Sequence, residues 1–176
     1  MLNINLNNVE AASERKNLEA GGYICGICAV ENVADREYLR ISFDIVEGNF
    51  KNYFRDMQKR LNLEKWASGG TTIKSYKQKA LPFFKQFINA VESSNGNYKF
   101  NNDETTLRGK YVGIVLGEEE YEKNDGTIGK RLKAVSFHPV ADIKSGNFRV
   151  PPLKVLSGGK DDEFHQIVSA DDDLPF

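Results

Sequence analysis

Cysteine and histidine are scarce in this 176-residue chain, which contains two of each. Cys25 and Cys28 have the spacing of half a zinc site, but no second pair completes it, and His138 and His165 lack finger spacing. An odd separation along a strand directs two side chains to opposite faces. We therefore expect buried strand cysteines, with no metal and no cofactor.

Long apolar runs are also missing. No stretch approaches the ~20 residues that span a bilayer, and no signal peptide opens the chain, so we expect a cytoplasmic protein without a membrane partner. The chain lacks a Walker motif, a glycine-rich dinucleotide fingerprint and a Gly-x-Ser-x-Gly elbow. A non-enzymatic function is expected. A metal-dependent nuclease that uses scattered Asp and Glu is a weaker alternative, which a nuclease assay with magnesium tests.

Charge is unevenly distributed although the net charge is only −1. Residues 51–85 contain nine basic and two acidic side chains, and residues 128–159 contain six basic and one acidic. Two basic blocks in a nearly neutral protein indicate a localised surface for a polyanion. Ordinary solvated lysines are the structural alternative.

The apolar periodicity predicts one domain over residues 21–156, between an N-terminal segment (1–20) and an acidic tail (157–176). Strands are predicted over 23–33 and 38–46, the second with one wet face, and a third strand runs into a helix over 50–61. Ser68, Gly69 and Gly70 form a flexible joint. A helix follows over 79–92, then strands over 110–116 and 130–137, which flank a long acidic loop over 117–129, and Pro151-Pro152 closes the ordered region.

This order predicts a mainly β fold with an α insertion: a five-stranded OB-fold barrel (Greek key) with a helical region between strands 3 and 4. Any other small α+β barrel is the structural alternative.

The last six residues have an unusual composition: Asp171, Asp172, Asp173, Leu174, Pro175 and Phe176. Three carboxylates run into an apolar tripeptide, which a solubilising tail does not need. The apolar side chains would gain about 1.5–3 kcal/mol each on burial in a partner, and the acids would steer the tip to a basic rim. We interpret these residues as a partner-docking peptide; a disordered acidic end is the alternative.

The tip resembles the C-terminal tip of bacterial single-stranded DNA-binding proteins. The body resembles the phage-encoded single-stranded DNA-binding proteins of Gram-positive hosts over most of residues 20–150. Three stretches carry this second resemblance: Gly22-Tyr23-Ile24-Cys25-Gly26-Ile27, Phe43-Asp44-Ile45-Val46-Glu47-Gly48 and Leu107-Arg108-Gly109-Lys110-Tyr111-Val112.

The resemblance implies binding and protection of single-stranded DNA during replication or recombination, and recruitment of replication and repair proteins through the tip. The resemblance does not determine the oligomeric state, and a homo-oligomer is compatible with it. The alternative is a non-catalytic protein-interaction adaptor with an OB-like barrel. A gel shift that compares poly-dT with duplex DNA distinguishes the two functions.

Sequence-independent binding of single strands needs cations for phosphates and aromatic faces for bases. The first basic block interleaves both, and its candidates are Lys51, Tyr53, Phe54, Arg55, Lys59, Arg60, Trp66, Lys74, Tyr76 and Lys77. Trp66 is the best stacking candidate, whereas Phe54 fits stacking and core packing equally. Arg131 and Lys133 share the outward face of one strand and could contact phosphates. The acidic run 118–122 would repel phosphate, so either it faces away from the DNA or the binding path follows residues 51–77.

Overall fold

The computed structural model describes residues 4–7, 9 and 17–156, and its framework is one open, five-stranded antiparallel sheet. The strands are β1 (Gly21–Val33), β2 (Tyr38–Ile45), β3 (Thr71–Ser75), β4 (Tyr111–Glu122) and β5 (Ile128–His138). They are hydrogen-bonded in the order β3-β2-β1-β4-β5. The prediction of a mainly β fold with five strands is confirmed, but the sheet does not close into a barrel.

The first two strands form the predicted hairpin. The core side of β2 consists of residues that are at most 3% exposed: Leu39, Ile41, Phe43 and Ile45. The opposite face is half-exposed at Arg40 and Ser42. The prediction of a wet face is wrong at its two ends, because Tyr38 and Asp44 are each 2% exposed.

The helix predicted within residues 50–61 is present as α1 (Tyr53–Leu61), but the strand predicted to run into it is absent, since residues 46–70 contain no strand. The first turn of α1 is held by Asp44 of β2. One carboxylate oxygen accepts the Phe54 N–H at 3.0 Å and the other accepts the Arg55 N–H at 3.2 Å. Burial raises the pKa of Asp44, while these backbone hydrogen bonds act in the opposite direction. The anion at the helix N-terminus comes from another element, and the N-cap residue itself, Asn52, makes no side-chain cap hydrogen bond.

The actual third strand is β3, which begins directly after Gly70. Residues 68–70, predicted as a flexible joint, form a 3-10 turn that leads directly into β3. Gly70 is buried between two rings: an added Cβ would lie 2.7 Å from Cγ of Phe54 and 2.7 Å from Nε1 of Trp66. Only glycine fits at this close approach.

Helix α2 (Leu81–Ser94) lies between β3 and β4, where the sequence predicts it, with Pro82 in the first turn. Phe87, Ile88 and Val91 are buried on its inner face. The helix packs against β4 and β5 and so covers one side of the sheet. Within the described part of the chain, no helix has the length and apolar character that a bilayer crossing requires.

The predicted acidic loop is wrong, because β4 continues through the glutamates to Glu122 and only residues 123–127 form a turn. Glu119 lies opposite Arg131, and Glu120 lies opposite Lys130. Opposite charges across an antiparallel pair stabilise strands that glutamate alone would disfavour. The Asp125-Gly126 turn is confirmed, with Gly126 at φ +80°.

The chain remains ordered beyond Pro151-Pro152. Helix α3 (Val140–Ser145) follows β5, and the segment after it runs alongside the outer half of β4. Lys154 donates its N–H to the Glu118 carbonyl at 3.0 Å and accepts the Glu120 N–H at 2.9 Å. β1 begins at Gly21, opposite Leu116, and therefore does not pair with the outer half of β4. The segment that contains Lys154 lies beside that half of β4 instead. The predicted tail and its tip lie outside the described residues.

Candidate nucleic-acid interface

Four candidate cations form one exposed group at α1, which we call the α1 basic surface: Lys51, Arg55, Lys59 and Arg60. Arg55 and Lys59 are four residues apart and therefore share a helix face. Among the described residues, no carboxylate lies within 4.0 Å of any of the four. Arg55 still acts at longer range on the buried Asp44 carboxylate, whose pKa it acts to lower, whereas Lys51, Lys59 and Arg60 are exposed to an external polyanion.

The aromatic candidates of α1 have different environments. Tyr53 is half-buried at the edge of a series of T-shaped contacts, with its ring centroid 6.0 Å from Phe50 and 5.3 Å from Phe54. Phe54 is 2% exposed and packs on Phe43 with a centroid separation of 5.7 Å. Phe54 is therefore excluded from the candidate site, because core packing covers the ring faces on which a base would stack.

Trp66 is half-buried and anchored. Its indole N–H donates to the Phe43 carbonyl at 3.0 Å, and its ring lies close to Gly70. The side chain contributes to the core and retains an exposed part.

Tyr76 and Lys77 follow β3. The hydroxyl of Tyr76 donates to Asn32 Oδ1 at 2.9 Å, and its ring contacts Phe84 edge-on with a centroid separation of 6.3 Å. Tyr76 is half-buried and Lys77 is exposed. Both remain compatible with a DNA contact, although the Tyr76 ring is held by protein on one side.

Lys74 does not lie on the predicted cationic surface. It pairs with Leu39 in the β2–β3 ladder and therefore shares the core face of the sheet. Its Nζ lies 3.7 Å from the ring centroid of Phe137 and 5.7 Å from that of Phe87. Burial lowers the pKa of Lys74 to about 7. Lys74 is therefore removed from the candidate phosphate contacts.

Arg131 and Lys133 point outward from β5 as predicted, but they share an acidic partner. Glu119 Oε1 lies 2.6 Å from Arg131 Nε, and Glu119 Oε2 lies 3.9 Å from Lys133 Nζ. The Arg131 guanidinium also lies 5.2 Å from the centroid of the Tyr121 ring. These two cations are thus partly neutralised, unlike those of the α1 basic surface.

Two arginines were not among the predicted site residues. Arg40, on the outer face of β2, pairs with Glu31 at 2.7 Å, and the strand alternation already indicated its direction. Arg108 lies near Arg55 beside Cys28, and both arginines act to lower the Cys28 pKa, although burial acts more strongly to raise it. Nothing in the local sequence indicates this meeting, because the three residues come from distant segments.

The two cysteines lie on opposite faces of β1, as their odd separation along the strand predicts. Cys25 is 0% exposed in the core, where burial raises its pKa, whereas Cys28 is half-exposed on the other face. Over the described ranges, no group of three or more His, Cys, Asp or Glu side chains is placed to hold a metal ion.

Comparison with models of known protein families and with curated proteins gives no match for this chain.

Proposed function

We propose that this chain is an OB-fold protein that binds and protects single-stranded DNA. The observation that carries the proposal is the α1 basic surface, which lies on the connection between β2 and β3. OB-folds bind oligonucleotides at the strand 2–3 face and its adjoining loops. Four exposed cations without a carboxylate partner in the described chain are suited to a polyanion that passes this face.

Support for the fold comes from the strand order. A sheet ordered β3-β2-β1-β4-β5 places the third and fifth strands at its two ends, as in a Greek-key barrel opened between them. Lys74 of β3 contacts Phe137 of β5, so the two end strands approach each other. The acidic glutamates lie on the β4–β5 hairpin, so a path over α1 avoids them.

In the proposed mechanism, Lys51, Arg55, Lys59, Arg60 and Lys77 neutralise phosphates without reading the sequence. Bases would stack on the exposed parts of Tyr53, Trp66 and Tyr76, because every base has a π-face. The strand would be coated during replication or recombination. The tip, residues 171–176, would recruit replication and repair proteins.

The test is a titration of the full chain with a dT oligomer at several salt concentrations. Each neutralised phosphate of a single strand contributes roughly −0.7 to the slope of log affinity against log salt, so the five proposed cations predict about −3.5. The triple variant Arg55→Gln/Lys59→Gln/Arg60→Gln should flatten the slope by about 2 by the same rule. Lys85→Gln, at an exposed cation on α2, is the control and should leave the slope near that of the unmodified protein.

A slope near zero, or equal slopes in the triple variant and in Lys85→Gln, would exclude the α1 basic surface as the binding site. Duplex DNA of the same length should bind more weakly than dT. Protein partners recovered by a chain that does not bind dT would instead favour the adaptor alternative.

A further inference from the structure

The outer face of the β1–β4 pair is covered only in part. Helix α3 covers it at Gly113, where the Ile143 side chain occupies the space that a Cβ would need. The next outward pair along the ladder is Gly26 and Tyr111, and Tyr111 is 50% exposed. Of the aromatic side chains that the structure describes, Tyr111 alone is exposed, and it is not among the predicted site residues.

The Tyr111 ring lies beside a residue without a side chain. Cys25 and Val112, the neighbouring pair of the ladder, are 0% exposed in the core, so Gly26 and Tyr111 face away from it. A Cβ built on Gly26 would lie 3.9 Å from Cδ1 and Cε1 of the ring and 3.0 Å from Cγ1 of Val46. The sheet therefore supports one edge of the ring, and the exposed half is directed to solvent.

The backbone of Tyr111 is held at both of its polar groups by Asn95, which follows α2. The Asn95 Nδ2 donates to the Tyr111 carbonyl at 2.7 Å, and Oδ1 accepts the Tyr111 N–H at 2.9 Å. The first residue of β4 is therefore fixed by a single amide group. A contact residue that is already ordered loses less conformational entropy when its ligand binds.

Arg55 lies on the β2 side of this ring. Asp44 pairs with Gly26 across the β1–β2 ladder, and its carboxylate accepts the Arg55 N–H at 3.2 Å. The start of α1 is therefore beside Gly26 on the outer face, and the Arg55 side chain is exposed there. Arg55 is thus shared between the α1 basic surface and the surroundings of Tyr111.

Arg108 approaches β1 from the opposite side. Gly109 donates its N–H to the Ile27 carbonyl at 2.8 Å, which places the exposed Arg108 next to β1. Burial raises the pKa of the outward Cys28 thiol, while the charges of Arg55 and Arg108 act to lower it, so both guanidinium groups lie near this side chain. Two cations therefore converge on the outer face of β1.

The acidic side chains of these elements are buried or paired. Asp44 is 2% exposed, and the Glu47 carboxylate lies 3.7 Å from Lys144 Nζ of α3. Among the described residues, no carboxylate lies within 4.0 Å of Arg108. The charge beside Tyr111 is therefore complementary to phosphate.

We propose that Tyr111, Arg55 and Arg108 form a nucleotide subsite, in which an unpaired base stacks on the Tyr111 ring and the two arginines bind the flanking phosphates. Stacking on an exposed ring beside cations is how proteins bind single strands without reading their sequence. Tyr111 is also the only large apolar side chain of β1 and β4 that is exposed, which is too little apolar surface for the core of a protein interface. The inference rests on the proposed function, because its ligand is the same single strand, and it extends the path from α1 across β1 to the start of β4.

The first test is a titration of full-length variants with a dT oligomer. Tyr111→Ala should weaken binding by about five- to 150-fold, the range for one lost base stack. Tyr111→Phe keeps the ring and should bind nearly as well as the unmodified protein. Ile128→Ala is the matched control, because Ile128 is 52% exposed at the first residue of β5 and should leave the affinity unchanged.

A second measurement uses the unmodified protein and so does not depend on the folding of a variant. A dT oligomer with 5-iodouracil in place of thymine is bound and irradiated, and the adducts are located by peptide mass spectrometry. We expect an adduct at Tyr111. Tyr98 is the internal control, since it is half-buried with Lys110 Nζ 4.6 Å from its ring centroid, and it should carry none.

The phosphate contact has its own readout. Arg108→Gln should flatten the slope of log affinity against log salt by about 0.7, the contribution of one phosphate. Lys85→Gln, at the exposed cation of α2, should leave the slope unchanged.

The outcomes separate this inference from the proposed function. Salt-dependent binding of dT, with equal affinities for Tyr111→Ala and Ile128→Ala and no adduct at Tyr111, would exclude the subsite and leave the proposed function intact. An unmodified protein that does not bind dT would overturn both. A Tyr111→Ala protein that loses protein partners in a pull-down and keeps its dT affinity would also overturn the inference and assign this face to a protein.

Discussion

At the scale of single residues, the Lys74 amine makes folding depend on pH. Its pKa is about 7 in the folded protein against an ordinary value of 10.5, so between these values the unfolded chain binds a proton that the folded chain does not. The stability contributed by this group is present above pH 10.5 and is lost as the pH falls to about 7.

Lys74→Met should therefore be more stable than the unmodified protein at pH 7, and its advantage should decrease as the pH rises. The slope of the difference is at most about 1.4 kcal/mol per pH unit, the value for one proton. Urea unfolding at pH 7, 8 and 9 measures it, with Lys77→Met as the exposed control. A difference that stays constant with pH would show that Lys74 is protonated in the folded protein.

Trp66 combines an anchor with a candidate stacking surface, and two substitutions separate these roles. Trp66→Ala should cost about 1–3 kcal/mol of affinity for a dT oligomer if a base stacks on the indole. Trp66→Phe retains a ring but leaves the Phe43 carbonyl without its donor, so it should cost about 1–3 kcal/mol of stability. Its loss of affinity for the dT oligomer should be smaller than that of Trp66→Ala. Calorimetry and oligonucleotide titration measure the two effects. A folded Trp66→Ala protein with unchanged affinity would remove Trp66 from the site.

At the scale of elements, the β4–β5 hairpin holds two outward cations against one glutamate. Glu119 is 13% exposed in its side chain and contacts both Arg131 and Lys133. The side chains of Arg131 and Lys133 are about half-exposed, and solvent weakens ion pairs with such cations, so phosphate could compete for them. If the proposed function holds, we expect the hairpin to be a second, weaker contact for DNA.

Glu119→Gln should raise affinity for a dT oligomer by up to about fivefold at low salt, because it releases both cations. Glu122→Gln removes the same charge from the same strand, at a glutamate without an ion pair in the described chain, and should have a smaller effect. Equal affinities for the two variants would place Arg131 and Lys133 outside the DNA path.

At the scale of the whole molecule, the acidic tip is proposed to act on partners and on DNA affinity separately. Deletion of residues 171–176 should abolish partner recovery and leave the fold intact, because terminal segments rarely carry core contacts. DNA affinity should hold or rise modestly at low salt, since a tethered anion no longer competes with phosphate.

Phe176→Ala is the matched control, because it removes the apolar anchor and keeps every charge. Partner binding should weaken while DNA affinity stays nearly constant. Pull-downs from host lysate, together with DNA titrations at two salt concentrations, measure both effects. Equal partner recovery from the intact, truncated and Phe176→Ala proteins would reduce the tip to an ordinary solvated end.

Elements whose signal is local could be predicted from the amino-acid sequence. The period-2 alternation of β2, the apolar run of β1, the apolar stripe of α2 and the Asp125-Gly126 turn all depend on neighbouring residues, and all were predicted close to their observed positions. The directions of Arg131 and Lys133 followed from the same alternation.

Features that depend on partners distant in sequence could not be predicted, because those partners meet only in the folded chain. Asp44 of β2 caps α1, and this distant contact replaces the strand that was predicted to run into the helix. The glutamates of β4 are strand residues because basic side chains lie across the ladder. Lys74 faces the core because its pairing with Leu39 sets the register of β3, and a one-residue change of register would have turned it to solvent.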